Sequence, residues 1–312
     1  MNELNMVNNL KRELLREGIQ LKIIPISRLN EIRDEINQVL DGFTDQGILN
    51  YIRKYFDFDI EKDLQNPMSL VIMGVPSTKT IFRFNHDGKE IEAIVPHTYL
   101  DFFRTKDRIE SILERTLGAN GIKFAYLGIP AKLLAVRSGL AKYGRNNITY
   151  MGDMGSYVRL MVFATDLPVK DHEWFEKREM DSCRKCDLCL RNCPTGAIDG
   201  SRFLLRAERC LTFFNEEESE IPEWIENSWH NCLVGCMRCQ EICPANKKVT
   251  KNVIEGAVFS ADETEALMST SKIEDLPSKL RKKVEDSGLS KLYPVLPRNI
   301  GLLLGDRLGD SD

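Results

Sequence analysis

Cysteine is missing from residues 1–182 and again from residues 244–312; all nine lie between Cys183 and Cys243. That confinement excludes a disulfide framework spread through the chain and points to a metal centre in a reducing compartment. Long apolar runs are missing too. No stretch approaches the ~18–20 apolar residues of a membrane span, and residues 1–18 hold neither an uninterrupted apolar core nor a twin-arginine signal. These absences predict a cytoplasmic chain with no membrane partner. No sign of charge dominates, since 43 Lys and Arg stand against 47 Asp and Glu, which gives no global reason for binding nucleic acid or an anionic surface. Solenoid-period repeats and low-complexity tracts are absent as well.

What is there is a cysteine-rich stretch from Cys183 to Pro244. It opens as Cys183-Arg-Lys-Cys186-Asp-Leu-Cys189-Leu-Arg-Asn-Cys193-Pro194 and closes as Cys236-Met-Arg-Cys239-Gln-Glu-Ile-Cys243-Pro244. The first run has the C-x2-C-x2-C-x3-C-P spacing of bacterial ferredoxins, in which three thiolates hold one 4Fe-4S cube and the fourth crosses to a second. Two cubes are implied. Zinc, which takes paired C-x2-C knuckles as four-ligand sites, is the alternative and fits nine clustered cysteines with two C-P endings poorly. A ferredoxin-like cross-over gives Cys183, Cys186, Cys189 and Cys243 to one cube, and Cys193, Cys236 and Cys239 to the other. The eighth ligand is Cys210 or Cys232. Cys210 is preferred because a helical turn over 204–209 would return it to the cluster, whereas Cys232 stands x3 before Cys236 where the simple pattern has x2.

At 312 residues with 42% hydrophobic content, the chain has room for roughly two domains with buried cores. Periodicity predicts helices over 1–18 (Leu4, Val7, Leu10 and Leu14 on one face), from Ser27 to about residue 40, over 44–56 and over 101–117. Strands are expected at 19–24, 68–75, 122–127, 147–150 and 157–165, and Asp87-Gly88 should turn a hairpin between 80–84 and 90–95. Pro130 suits the first turn of a helix running to about Lys142. The fold class is α+β. A mixed α/β cofactor and substrate domain over 1–168 precedes a ferredoxin-like double-cluster domain over 169–250, and a helical cap over 251–312 starts with a capping box at Ser260 and Glu263.

A cluster domain needs only part of this length, so the remainder implies a second cofactor or a substrate site. The stretch Ala135-Val-Arg137-Ser-Gly139-Leu140-Ala-Lys-Tyr-Gly144-Arg145-Asn146 resembles the A-V-R-A-G-L-G-W-I-G-K-N segment of the epoxyqueuosine reductases. Gly155-Ser156, Thr165-Asp166-Leu167-Pro168, the cysteine runs and Leu296-Pro-Arg298-Asn299 are similar to that family's motifs in the same order, over about residues 95–305. The stretch 144–146 is also like the related reductive dehalogenases. The resemblance implies a cobalamin with its lower base displaced, reduced through two 4Fe-4S clusters to a cobalt(I) nucleophile. It implies Arg137, Gly139, Gly144, Arg145 and Asn146 as cofactor contacts, an electron donor such as flavodoxin or ferredoxin, and a small-molecule or tRNA substrate.

One position departs from the family. An ungapped count puts its proton-donating aspartate on Ala125, which has no proton to give: either the alignment slips, another group such as the Tyr126 phenol donates, or the substrate is different. His97, Tyr99 and Asp101 read as helix-entry residues. Lys247, Lys248, Lys251 and the 279–283 run offer a basic face for phosphate, or simply solvated helix surfaces. Two functions follow: a cobalamin-dependent iron-sulfur reductase, or an electron-transfer or corrinoid-binding protein that reduces a partner without substrate chemistry of its own.

Overall fold

The computed structural model describes residues 2–42, 46–170 and 172–308; the first two residues of the helix expected over 44–56, and the last four of the chain, lie outside them. In chain order the strands are β1 (Gln20–Pro25), β2 (Ser69–Pro76), β3 (Lys79–His86), β4 (Lys89–Val95), β5 (Phe124–Tyr126), β6 (Lys142–Tyr143), β7 (Thr149–Tyr150), β8 (Val158–Thr165) and β9 (Val253–Phe259). The chain divides into two compact units, residues 1–76 with 103–186 and residues 77–102 with 187–312. These limits differ from the boundaries at 168 and 250 expected from composition. The hairpin β3–β4 belongs with the cysteine segment, and the dividing line falls just after Cys186.

The first unit is built on an antiparallel sheet in the order β1-β2-β8-β5. Ile72 pairs with Val162 and Ala125 with Ala164. One face of β2 and β8 packs Leu70, Ile72, Val162 and Ala164 against Ile32 of the helix Arg28–Asp41 and Leu134 of the helix Ala131–Arg137. Successive strand residues point to opposite faces, so the equally buried Val71, Met73, Met161 and Phe163 fill the other side. A strand buried on both faces reads as a near-continuous apolar run, as the segment expected as a strand at 68–75 does.

The first helix, Glu3–Arg16, buries Met6, Leu10 and Leu14, while Leu4, expected inward, is exposed. Ser27 stands at the expected N-cap but makes no side-chain cap bond. The helix after Pro130 ends at Arg137 rather than near Lys142, because Gly139 takes φ +74° and a Cβ there would collide with the Phe175 ring at 2.4 Å. Lys142 instead begins the short ribbon β6–β7.

In the second unit, β3 and β4 form the expected hairpin, with Thr80 opposite Val95 and His86 opposite Lys89. Asp87 and Gly88 both have positive φ (48° and 72°), as a tight type I′ turn requires. The tail is helical as expected, with the capping box formed by Ser260 and Glu263, and in addition supplies β9, which no sequence pattern marked. β9 pairs parallel with β3, Thr80 beside Ile254 and Phe84 beside Phe259. Phe84 and Phe259 stack at 4.9 Å, and with Phe82 they are sealed by Leu267, Leu280, Val284, Leu296 and Ile300. Each buried ring contributes roughly 1.5–3 kcal/mol.

Candidate iron-sulfur centre

The two cysteine loops repeat one backbone. Cys189 rides on the single turn Leu188–Arg191 and Cys239 on Arg238–Glu241. The residues before these turns, Asp187 (φ −128°, ψ 13°) and Met237 (φ −118°, ψ 1°), take nearly the same conformation. The Cys193 N–H donates to the Leu190 carbonyl and the Cys243 N–H to that of Gln240, each at 3.3 Å. A proline follows both times; lacking an N–H, it cannot continue the turn. The Asn192 amide ties the loops together by donating to the Arg238 carbonyl at 2.8 Å.

Within the second unit, sulfur gathers where the sequence places the second cube. Burial pushes the Cys236 thiol up to about 12, the Arg238 N–H opposes the shift, and the neighbouring Cys210 and Cys193 add to it. Cys210 is raised chiefly by burial and then by Cys193, while the N–H and hydroxyl of Thr212 donate to its sulfur. Cys193 and Cys210 thus lie near enough to Cys236 to raise its thiol, and Cys193 near enough to raise that of Cys210. Buried thiols with raised pKa ionise only when a metal takes the charge, and N–H donors to sulfur are a main control of a cluster's potential. The donor set fits a cube. Cys232 is fully shielded and raised further, by burial first and by Cys236 second, and it lies where its backbone bridges to Ile94 of the hairpin. All nine cysteines are free of disulfides. Among the described residues, no three His, Cys, Asp or Glu side chains form a single-ion site.

The support below the loops comes from the final helix, Leu296–Leu308. Asn299, buried, donates to the carbonyls of Asn215 (3.0 Å) and Leu233 (2.7 Å), and Asn215 donates to Gly235 just ahead of Cys236. Arg298 gives its guanidinium to the Phe214 and Glu217 carbonyls at 2.9 Å each. His97 and Tyr99 are more than helix-entry residues: His97 Nε2 lies 3.4 Å from Gln240 Oε1, and the Tyr99 hydroxyl donates to Glu216.

In the first unit the residues selected for a corrin have mixed fates. Arg137 is spent: its guanidinium meets Glu176 at 3.0 Å, Glu31 at 3.2 Å and Glu35 at 3.4 Å, and lies over the Trp174 ring. Gly139 makes room for Phe175, and Gly144 for Tyr150 and Asn146. Asn146 donates to the Tyr150 hydroxyl at 2.9 Å. Among the described residues Arg145 pairs with Glu179 at 3.8 Å. Beside it Asn147, which sequence reasoning passed over, holds φ +60° and a buried amide nitrogen with no hydrogen-bond partner among the described residues. Its signal was an Asn doublet, 146–147, in a turn, since Asn tolerates the left-handed region. The donors of Arg137 and Asn146 are engaged within the protein, so Arg145 and Asn147 are the donors of this stretch suited in chemistry to the amide acceptors on a corrin's rim. Tyr126 packs edge-on against Phe163 at 5.6 Å, and burial raises its phenol against the pull of the Arg159 cation. Ala125 faces Ala164 in the sheet.

Comparison with known proteins agrees with the cysteine geometry. Residues 182–246 match the family described as 4Fe-4S double cluster binding domain. The segment is a double 4Fe-4S cluster domain. The chain carrying this double-cluster domain is similar to the epoxyqueuosine reductase of Bacillus subtilis (strain 168), at 33% identity over 116 residues, 37% of this chain. That segment spans 29% of the relative's length. Among solved structures, a selenomethionine-labelled epoxyqueuosine reductase superposes with TM-score 0.67 at 21% identity, over 97% of this chain and 82% of the other. An epoxyqueuosine reductase with an epoxyqueuosine-modified tRNA-Tyr stem loop gives 0.65 at 19%, with the same coverage. The fold is thus shared along nearly the whole chain. No described helix is long and apolar enough to cross a membrane.

Proposed function

We propose that this protein is an iron-sulfur reductase of the epoxyqueuosine reductase type, working in the cytoplasm, with two 4Fe-4S clusters feeding electrons to a cobalamin-dependent reaction. The observation that carries the proposal is the pair of C-x2-C-x3-C-P loops of matching backbone, set in a fold shared with epoxyqueuosine reductases over 97% of the chain. Cys183, Cys186, Cys189 and Cys243 hold one cube, and Cys193, Cys210, Cys236 and Cys239 the other. Arg145 and Asn147 would hold the corrin through its amide side chains. A bound cobalamin would supply the reducing centre for the substrate, the hard chemistry that a protein delegates to a cofactor.

The chain's own part is acid supply and electrostatics. Tyr126, whose phenol is protonated at neutral pH and is moved further from ionisation by burial, with the Arg159 cation near enough to favour its anion, is the group that donates a proton where the family's aspartate is replaced by Ala125. Since one solved relative binds an epoxyqueuosine-modified tRNA stem loop, the proposed substrate is that base in tRNA. A second reading, electron delivery to a partner without substrate chemistry, is favoured by Ala125 and by the engagement of Arg137 and Asn146 inside the protein.

Anaerobic reconstitution tests both. About eight irons per chain, four per cube, together with a base-off cobalamin spectrum and conversion of epoxyqueuosine-containing tRNA, is the expected result. Iron uptake without cobalamin binding would select the second reading. Tyr126→Phe should abolish turnover while leaving iron and cobalamin binding unchanged; undiminished turnover removes Tyr126 from the reaction.

A further inference from the structure

Four cations line one cleft of the first unit. Lys142, Lys177, Arg178 and Arg184 border a volume of about 450 Å³, with two carboxylates, Glu179 and Asp181, among them. Their backbone is fixed: the Tyr143 N–H donates to the Arg178 carbonyl at 2.9 Å, the Met180 N–H to that of Tyr143 at 2.8 Å, and the Cys183 N–H to that of Met180 at 2.9 Å. The Arg178 guanidinium rests on the Phe175 ring at 4.8 Å, and Lys177 meets Glu35 at 3.1 Å. The outer pairings are loose. Asp181, 72% exposed, reaches Arg184 at 3.1 Å and Lys142 at 3.7 Å; exposed pairs of this kind contribute little, so a competing anion displaces them readily. Cys183 and Cys186 belong to the same unit, and the two residues between them, Arg184 and Lys185, are exposed.

The chain as a whole carries a net charge of -4, so cations in excess beside cluster ligands are a local departure from it. The other cysteine neighbourhood has the opposite sign. Residues 211–237, which run from Cys210 past Cys236, hold Glu216, Glu217, Glu218, Glu220, Glu223 and Glu226 and no Lys or Arg. An acidic molecule is therefore drawn toward Cys183 and Cys186 and repelled from the 211–237 segment. A cube that feeds a reductive reaction has to be refilled by a donor that comes within reach of its ligands, and opposite charge raises such encounter rates about 10- to 1,000-fold. Nucleic acid fits the cleft less well, because Glu179 and Asp181 would face its phosphates, whereas a protein can answer them with cations of its own.

We propose that the cleft lined by Lys142, Lys177, Arg178 and Arg184 docks an acidic electron-carrier protein with a low-potential one-electron cofactor, which makes the cube that includes Cys183 and Cys186 the point of electron entry. The inference rests on the double-cluster reading and not on cobalamin or the substrate. In the step itself one electron leaves the carrier's reduced cofactor and reduces the cube; no covalent bond forms or breaks. Asp181 occupies the cations until a carboxylate of the carrier replaces it, so its charge competes with docking.

The test is stopped-flow reduction of anaerobically reconstituted full-length protein by photoreduced flavodoxin, an acidic flavin carrier. Methyl viologen radical serves as a reductant that needs no docking, and iron is measured in parallel. The double variant Lys142→Gln with Arg184→Gln should slow reduction by flavodoxin about tenfold at low ionic strength, with iron content and reduction by methyl viologen unchanged. Asp181→Asn, which removes the competing carboxylate, should speed it about twofold. In ~1 M salt, where charges are screened beyond about 3 Å, the three proteins should react alike. Equal rates at low salt, or slowing by Asp181→Asn as well, overturn the proposal. So does a double variant that loses affinity for tRNA in a gel shift while its rate with flavodoxin is unchanged, which would assign the cleft to nucleic acid. Should the double variant lose iron, Asp181→Asn decides: faster reduction supports docking at this cleft, and an unchanged rate overturns it. A wild-type chain reduced by methyl viologen and not by flavodoxin overturns this proposal alone, whereas one that takes up no iron overturns the cluster reading and this one with it.

Discussion

The two cysteine loops share spacing and backbone but not surroundings. The loop ending at Cys193 displays Asp187 and Arg191 to solvent and is tied to its twin by Asn192. The loop ending at Cys243 is held on several sides: by Lys79 and His97, by Asn246, and through Arg238, whose guanidinium donates to the carbonyls of Trp229 (2.9 Å) and Ser228 (2.6 Å). Equal ligand geometry thus coexists with unequal restraint. Spacing sets the ligand pattern, and the neighbours set how firmly each loop is held.

The sharpest break is at the eighth ligand. Cys210→Ser should lower iron from about eight to about four per chain, because one cube loses a corner, while Cys232→Ser should leave iron unchanged; iron and sulfide analysis read both. The reverse result would transfer the ligand to Cys232 and make the second loop self-contained. Next in size is Asn299→Ala, which strips partners from two buried carbonyls beneath that loop and should cost about 2 kcal/mol of stability, seen as a lower denaturant midpoint. Asn192→Ala removes the described tie between the loops and should cost about 1 kcal/mol in the same assay. Least affected should be Asp187→Asn, since an exposed pair contributes under ~1 kcal/mol and the change should vanish in high salt. A large effect there would show that the first loop is as restrained as the second.

The sequence was readable where chemistry is local. Cysteine spacing, the Asp87-Gly88 turn, the Ser260 capping box and the buried run at 69–75 each draw their meaning from neighbours a few residues away. What stayed hidden is non-local. β9 was not visible because Val253, Ile254, Glu255 and Val258 are exposed and Gly256 interrupts them; their pairing is specified by β3, some 170 residues earlier. Lys79 looks like any hairpin lysine until Glu241 is placed beside it. Arg137 and Asn146 matched a cofactor motif, yet the carboxylates of Glu31, Glu35 and Glu176 and the Tyr150 hydroxyl that claim them come from other elements.

The parallel pairing of β3 with β9 also orders events during synthesis. The hairpin is complete by residue 95, whereas the strand that covers its open edge ends at Phe259. At ~5–20 residues per second the ribosome needs on the order of ten to thirty seconds to supply it. Until then β3 presents an unpaired edge of the kind that recruits other chains. Lys79 and Arg83, the latter later held by Glu92 and Glu255, put charge on that edge throughout the wait. The cysteines emerge before β9 does, so the whole cysteine segment is synthesised while the edge of β3 is still open.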